Sequence, residues 1–327
     1  MPANLTPEYL EAEQRFKQAK TTPEKITALE EMLATIPKHK GTEKMQAELK
    51  RKLSRLRGEK QKKGGPKQAP PVHYVEPEGA GQVALVGPPN SGKSSLVARL
   101  TRATPPVADY PFTTRLPLPG MMPFENIQIQ LVDLPPLHPD FPEPWLPQAI
   151  RNADAVALVV DLGDAAVLEQ LTDTLAQLEQ GKISVGPKAD PLPRGCAHKP
   201  ALLVGNKSDQ PRAGENFEIL AELWKDRFRL LAVSAATGEN LENFRRALFD
   251  LLGIVRVYTK IPGKKATLDA PFVLPRGATV RDVAERVHKD FLARLKFARL
   301  WGAGKFDGQM VQRDYILEDN DVIELHG

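Results

Sequence analysis

One short segment combines glycines, a lysine and a serine at spacings that suit phosphate binding. Residues Gly87 to Ser94 read G-P-P-N-S-G-K-S and fit the pattern G-x-x-x-x-G-K-[ST], between an apolar run and a predicted helix. In such a loop, backbone N–H groups surround phosphates, Lys93 reaches the β- and γ-phosphates, and Ser94 supplies a magnesium ligand. The predicted nucleotide contacts are Gly87, Pro88, Pro89, Asn90, Ser91, Gly92, Lys93, Ser94 and Ser95.

Two later segments bear on which base the nucleotide carries. Asp209 ends an N-K-x-D segment, and its carboxylate can accept hydrogen bonds from both the ring N–H and the exocyclic amine of guanine. Adenine offers no such pair of donors. An ordinary polar turn is the alternative for N-K-x-D alone, but a Ser-Ala-Ala segment follows the next strand and its N–H groups can meet the guanine oxygen. The predicted guanine contacts are Asn206, Lys207, Asp209, Ser234, Ala235 and Ala236.

Two further segments are candidates for holding a metal ion. Asp133 ends an alternating strand and can hold magnesium through a water molecule. Upstream, residues 109–114 form a candidate first switch loop, in which we favour Thr114 over Thr113 as the hydroxyl that reaches magnesium when the γ-phosphate is present. A plain proline-rich surface loop is the alternative. The predicted magnesium ligands are therefore Ser94, Thr114 and Asp133.

The elements that must position these residues alternate between strand and helix. Alternation of this kind predicts a doubly wound, mostly parallel sheet covered on both faces, which is the α/β class. The predicted strands are residues 83–86, 127–132, 155–160, 201–204 and 230–233, and the predicted helices are residues 94–100, 167–178, 217–224 and 241–252.

The two ends of the chain differ from this centre. Thr6, Thr22 and Thr42 can cap three helices before residue 63. The third helix has an apolar stripe of Met45, Leu49, Leu53 and Leu56 within a run, residues 38–67, that holds 12 Lys or Arg against 3 Glu. A solvated surface, an RNA contact and an anionic membrane contact are the three interpretations of that charge.

A compact α+β module of about 75 residues ends the chain. Its predicted strands are residues 255–258, 272–274 and 322–325, with a helix at 280–295. The predicted domains are a helical region at 1–63, a linker at 64–81, a central α/β domain at 82–253 and the terminal module at 254–327.

Composition sets outer limits on the protein. The chain has 327 residues, a net charge of +4 and no apolar run near the ~18 residues of a membrane span, so we expect no membrane insertion. The first residues lack a secretory pattern, and Cys196 is the only cysteine and is expected to be a loop thiol, so we expect a cytoplasmic protein. Of 30 prolines, six fall at residues 135–147, which argues against a regular helix there.

Taken together, these segments resemble the Obg and DRG group of translation-factor-class GTPases. The central resemblance is carried by residues 87–95, 110–114, 133–135, 206–209 and 234–236. Residues 36–57 resemble the helical segment of DRG proteins, and residues 255–260, 274–280, 301–302 and 317–323 resemble a TGS domain, which has a β-grasp fold. The resemblance implies a cytoplasmic GTPase that acts near the ribosome, with the TGS domain as an RNA or protein contact. We expect its intrinsic hydrolysis of GTP to be slow.

A second interpretation is an RNA- or ribosome-binding scaffold that holds nucleotide as a structural ligand with negligible hydrolysis. An ATP-using kinase is disfavoured by Asp209. The resemblance also implies that Lys93, Thr114 and Asn90 serve hydrolysis, with Asn90 holding a potassium ion; a turn-forming role without an ion is the alternative for Asn90.

The chain departs from this family pattern in two places. Residues 180–199 leave only a short loop where DRG proteins carry an inserted subdomain. Pro136 stands where the family has a glycine whose N–H bonds the γ-phosphate, and Leu137 stands where Ras-like enzymes place a water-orienting glutamine. The short loop argues against functions that depend on the insert, whereas Pro136 predicts a weaker contact with the γ-phosphate.

Overall fold

The chain divides into two units, Met1–Pro71 and Val72–Gly327. The computed structural model describes residues 7–19, 22–36, 42, 45–46, 48–53, 73–101, 116–137, 143–188, 191–264, 266, 268–287, 292, 295–303 and 305–327. Within this part of the chain, no helix is long and apolar enough to span a membrane.

The first unit is helical. It contains α1 (Pro7–Gln18), α2 (Thr22–Thr35) and a further helical stretch at residues 48–53. Leu49 is buried with residues of α1 and α2, and Met45 and Leu53 pack against the same cluster, which confirms three positions of the predicted stripe. Leu56 lies outside the described residues. The buried members of this cluster are Tyr9, Ala12, Leu29, Met32, Ile36 and Leu49.

The charged side chains of that helical stretch face solvent. Lys50, Arg51 and Lys52 are all exposed beside buried Leu49. Most of the basic run at residues 38–67 lies outside the described residues, so the full extent of the predicted basic helix stays a prediction.

The second unit begins with a six-stranded sheet in the order β2-β3-β1-β4-β7-β8. Its strands are β1 (Gln82–Val86), β2 (Leu118–Phe124), β3 (Ile127–Asp133), β4 (Ala155–Asp161), β7 (Ala201–Asn206) and β8 (Arg229–Ala232). β1 pairs in parallel with β3 and β4, β4 with β7, and β7 with β8, whereas β2 forms an antiparallel hairpin with β3. The expected doubly wound, mostly parallel sheet is confirmed.

Helices cover both faces of this sheet because its central strands are apolar on both sides. In β1, Val83 and Leu85 join one core cluster and Ala84 and Val86 join the other. The helices are α3 (Lys93–Leu100), α4 (Leu146–Asn152), α5 (Val167–Gln180), α6 (Ala213–Trp224) and α7 (Leu241–Leu252). The clusters place α3 and α7 on one face and α4, α5 and α6 on the other.

Two local expectations need correction. Residues 180–199 are not only a loop, because β5 (Ile183–Val185) pairs in parallel with β6 (Ala197–Lys199). In the proline-rich stretch, residues 134–137 and 143–145 are not helical, as expected, but α4 already begins at Leu146. Pro147 is tolerated there because an N–H in the first helical turn has no partner within the helix.

The last part of the second unit is a five-stranded sheet in the order β10-β9-β13-β11-β12. Its elements are β9 (Ile254–Thr259), β10 (Phe272–Pro275), α8 (Val280–Val287), β11 (Phe297–Trp301), β12 (Gln309–Val311) and β13 (Asp321–His326). Val280, Val283 and Ala284 of α8 pack into the core that lines one face of this sheet. The predicted helix at 280–295 is described only to Val287.

The two sheets meet at the turn between β2 and β3. Arg256 of β9 is 2% exposed and donates to Glu125 in that turn at 2.5 Å. Its guanidinium also bonds Asp319 at 2.7 Å and lies over the rings of Phe124 and Phe249. One buried cation therefore contacts both sheets at this interface.

Candidate functional site

The loop between β1 and α3 packs closely against the ends of two neighbouring strands. A Cβ on Gly87 would lie 2.1 Å from the carbonyl oxygen of Val159 in β4. Gly92 has a φ of +88°, and a Cβ there would lie 2.1 Å from Nδ2 of Asn206 in β7. Neither position tolerates a larger residue without movement, so these glycines let the loop lie against the carboxyl edge of the sheet.

Lys93 is held inside this loop. Its ammonium donates hydrogen bonds to the carbonyl oxygens of Gly87 at 3.1 Å and Pro88 at 2.8 Å. The side chain is buried, and burial lowers the pKa of Lys93 to about 8, although the Asp133 carboxylate acts in the opposite direction. The Lys93 ammonium, whose pKa is lowered, is therefore held by carbonyl groups of its own loop.

Ser94 and Asp133 form a pair beside Lys93. The Ser94 hydroxyl donates to Asp133 Oδ2 at 2.5 Å, while Asp133 Oδ1 is buried and has no hydrogen-bond partner in the described part of the chain. Burial raises the pKa of Asp133, whereas the hydrogen bond from Ser94 and the charge of Lys93 act to lower it. An orphaned carboxylate oxygen next to a hydroxyl suits a hard divalent cation.

Magnesium fits this donor set. Magnesium is typically bound through one or two protein oxygen ligands together with water and substrate phosphates. The described residues include no cluster of three or more His, Cys, Asp or Glu that could hold a metal.

Asn206 joins three predicted segments. Its Nδ2 donates to the Ser91 carbonyl at 2.9 Å, and its Oδ1 accepts from the N–H of Ala235 at 3.1 Å. The Asn206 side chain is buried, and both the nitrogen and the oxygen of its amide make a hydrogen bond. The phosphate loop, the N-K-x-D segment and the Ser-Ala-Ala segment are thereby fixed at one edge of the sheet.

Asp209 lies at the exposed end of that edge. The Ser234 hydroxyl donates to Asp209 Oδ1 at 2.5 Å, and this hydrogen bond is the main cause of a lowered pKa at Asp209. The Gln210 amide contacts Oδ2 at 3.1 Å. The carboxylate is therefore ionised, oriented and accessible.

Asp161 is a member of the site that sequence reasoning missed. It ends β4 and receives the Lys207 ammonium at 2.6 Å, and its other oxygen accepts from the N–H of Gly163. The available signal was an acidic residue directly after a continuous apolar strand, the same placement that identified Asp133. The pair fixes the direction of the Lys207 side chain.

Comparison with known proteins agrees with this arrangement. Residues 82–188 match the 50S ribosome-binding GTPase family, and residues 255–326 match the TGS domain. An uncharacterized GTP-binding protein of Methanocaldococcus jannaschii is 29% identical over 372 residues, covering 92% of this chain and 92% of that protein. Developmentally-regulated GTP-binding protein 1 of Xenopus laevis is 27% identical over 363 residues, covering 92% of this chain and 98% of that protein.

The chain is a GTPase of the Obg/DRG type with a TGS domain. The six-stranded sheet with its covering helices is thus the GTPase domain, or G domain, and the five-stranded sheet with α8 is the TGS domain with its β-grasp fold.

In this Obg/DRG-type GTPase, the backbone after Asp133 contacts the phosphate loop directly. The N–H of Leu137 donates to the carbonyl oxygen of Gly87 at 3.2 Å, and the Leu137 side chain packs against the core. Pro136 has no N–H to offer. The first switch loop, with Thr113 and Thr114, lies outside the described residues.

Proposed function

We propose that this GTPase holds GTP and GDP at the site described above, hydrolyses GTP slowly, and acts in the cytoplasm on or near ribosomal particles or other RNA. The observation that carries the nucleotide site is the convergence of Lys93, the Ser94–Asp133 pair and Asp209 at the carboxyl ends of the parallel strands of one sheet. Ligands of α/β sheets bind at that edge.

Only a few side chains are assigned to the phosphate end of the nucleotide. Lys93 and the loop N–H groups would bind the phosphates, Ser94 and Thr114 would supply magnesium ligands, and Asp133 would hold the ion through water. When bound, magnesium neutralises charge on the phosphate oxygens. Phosphate binding replaces the contacts between Lys93 and the loop carbonyls with contacts to a dianion. Asn90, in the left-handed region at a φ of +59°, stays a predicted potassium ligand.

Slow hydrolysis is supported by the residues that follow Asp133. Pro136 cannot donate to the γ-phosphate, and Leu137 cannot orient water because its side chain is apolar and its N–H already bonds Gly87. Lys93 still stabilises charge on the transferred group. We therefore expect a low intrinsic rate.

Guanine selection by Asp209 is tested with fluorescent nucleotide analogues. The wild-type protein should bind the GDP analogue far more tightly than the ADP analogue, because only guanine donates two hydrogen bonds to one carboxylate. Asp209→Ala should remove that preference. Asp226→Ala is the matched control, since Asp226 lies before β8 at the opposite edge of the sheet. Equal affinity of the wild-type protein for both analogues would contradict the assignment.

RNA or ribosome contact is supported by the exposed Lys50, Arg51 and Lys52 and by the description of the matched GTPase family. The scaffold interpretation is favoured by Leu137, which leaves the site without a water-orienting side chain at that position. Sedimenting the protein with ribosomal particles in the presence of GDP or of a non-hydrolysable GTP analogue distinguishes a nucleotide-dependent switch from a scaffold. Association that differs between the nucleotides supports a switch, and equal association supports a scaffold.

A further inference from the structure

The TGS sheet has one face that the core does not use. Along β11, Ala298 and Leu300 point into the TGS core, so Phe297, Arg299 and Trp301 lie on the opposite face. Alternate residues of a strand are about 7 Å apart. We call this the outer face, formed by residues 297, 299 and 301 of β11, 322, 324 and 326 of β13, 310 of β12, and Lys260.

Planar and cationic groups form rows across the outer face. His326 lies opposite Phe297 and stacks on it, with ring centroids 4.7 Å apart and an interplanar angle of 13°. The Lys260 ammonium lies 4.0 Å from the centroid of the Trp301 ring. Between these rows, Arg299 lies opposite Glu324 on one side and Met310 on the other.

The charge of the outer face is positive. Glu324 is buried and bonds Lys260 at 3.0 Å and His326 at 2.7 Å, and the hydrogen bond from Lys260 is the main cause of its lowered pKa. The Arg299 side chain is exposed and makes no hydrogen bond or ion pair with any other described residue. One acidic group is thus neutralised locally, while one guanidinium is left for a ligand.

The outer face is open beyond β9. Arg256 and Tyr258 of β9 contact the turn at Glu125 and Asn126 in the G domain. Among the described residues, the polar and ring contacts of the β11, β12 and β13 outer-face side chains stay within the TGS domain. Met310 is 60% exposed. The opposite side of the sheet is covered by α8.

We propose that the outer face is a stacking platform for single-stranded RNA. Two aromatic side chains flank an arginine at two-residue spacing on one face of a sheet, and sheets with such a face bind unpaired bases by stacking while cations contact phosphates. Duplex RNA keeps its bases stacked inside and offers no faces to such a surface. The proposal deepens the proposed RNA contact and rests on it.

The test uses the full-length protein loaded with GDP and a fluorescein-labelled mixed-sequence RNA of about 12 nucleotides, within the site sizes of single-strand binders. Met310→Glu and Arg299→Glu, both at exposed positions, should weaken binding at least about tenfold. Arg299→Ala should also lower the slope of log affinity against log salt by about one. Arg286→Glu on α8 is the matched control and should change affinity little, because it lies on the other side of the sheet.

A second measurement reports on the ring itself. The chain has three tryptophans, and replacing Trp145 and Trp224 by phenylalanine leaves Trp301 as the single one. Single-stranded RNA should quench its fluorescence, and duplex RNA of the same length should not. Unchanged GDP affinity in every variant establishes that the G domain is intact.

The outcomes separate the platform from the proposed function. If the RNA binds but Met310→Glu and Arg299→Glu bind as the wild type does, the platform is overturned and the RNA contact lies elsewhere, with the basic run at residues 38–67 as the next candidate. If the wild-type protein binds neither this RNA nor ribosomal particles, both proposals fail. Loss of affinity confined to the outer-face variants supports the platform.

Discussion

Lys93 is a cation at a buried position, and its protonation should set the pH dependence of nucleotide binding. Its pKa is about 8 in the free protein because burial disfavours the charged form. Bound phosphates stabilise that charge, so binding above pH 8 requires proton uptake. Affinity for GDP should then fall as pH rises above about 8, by up to about tenfold per pH unit.

Lys93→Arg is the control for this titration, because its guanidinium stays charged throughout. The difference between the two pH profiles isolates the lysine from any titration of the base. Calorimetry in buffers of different ionisation enthalpy measures the protons taken up. Identical profiles for lysine and arginine would contradict a lowered pKa at position 93.

The same group predicts a trend in stability without nucleotide. Below pH 8 Lys93 is protonated in both the folded and the unfolded protein, so its burial penalty is constant. Between pH 8 and about 10.4 only the unfolded state holds the proton, so the free energy of unfolding should rise with pH. Urea denaturation of wild type and Lys93→Met at several pH values measures this, and Lys93→Met should lack the rise.

The site residues differed in how well the sequence alone predicted them. Lys93, Ser94 and Asp133 could be proposed because fixed spacing and strand ends place them together. For Asp161 the only sequence signal was its place at the end of an apolar strand, because its partner Lys207 is 46 residues away and the parallel pairing of β4 with β7 brings the two into contact.

At the level of elements, the shape of the phosphate loop depends on Gly92. Its φ of +88° and the 2.1 Å that would separate an added Cβ from Asn206 Nδ2 predict that Gly92→Ala strains the loop and breaks the amide contact with Ser91. Affinity for GDP should fall by at least about tenfold, since a hydrogen bond and a special backbone conformation are both lost.

Gly214→Ala is the matched control for this change. Gly214 lies in α6 and a Cβ there meets nothing within 4 Å, so the substitution should stabilise the protein by about 0.5–1 kcal/mol and leave GDP affinity unchanged. If Gly92→Ala bound GDP as well as Gly214→Ala does, the close packing of the loop would have no role in binding.

The segment after β3 is the second element with a measurable role. Pro136→Gly adds a backbone N–H next to the phosphate loop, so we expect a higher turnover of GTP or a stronger preference for GTP over GDP. Pro136→Ala supplies the same N–H with less added chain freedom and should act in the same direction. Single-turnover hydrolysis and competitive nucleotide binding measure both effects. If the turnover and the preference for GTP over GDP stay the same in both variants, the missing N–H is unimportant.

Elements with a continuous apolar run could be predicted, whereas the edge strands β2 and β12 could not. The central strands β1, β4 and β7 are buried on both faces, so their composition alone identifies them. In contrast, β2 carries Pro119 and Pro123, which an edge strand tolerates because some of its N–H groups need no partner. The short strand β12 has three residues and pairs only at the edge of the TGS sheet.

On the scale of the whole second unit, Arg256 links the stability of the TGS domain to the G domain. Asp319 receives two hydrogen bonds from its guanidinium and one from its backbone N–H, whereas Glu125 receives one from across the interface. Although burial alone would raise it, Arg256 holds the pKa of Asp319 below its usual value. Removing Asp319 therefore leaves a buried cation with its main partner missing.

These contacts predict a ranking of three substitutions. Asp319→Ala should lower the free energy of unfolding by about 3 kcal/mol, the low end for a broken buried pair because Asp319 is partly exposed. Glu125→Ala should cost about 1 kcal/mol, since that carboxylate is nearly half exposed and well solvated. Asp250→Ala, which removes the surface partner of Arg229, should cost about 0.5 kcal/mol or less. Urea denaturation followed by circular dichroism measures all three, and an Asp319→Ala variant no less stable than Asp250→Ala would show that the Arg256–Asp319 pair does not stabilise the protein.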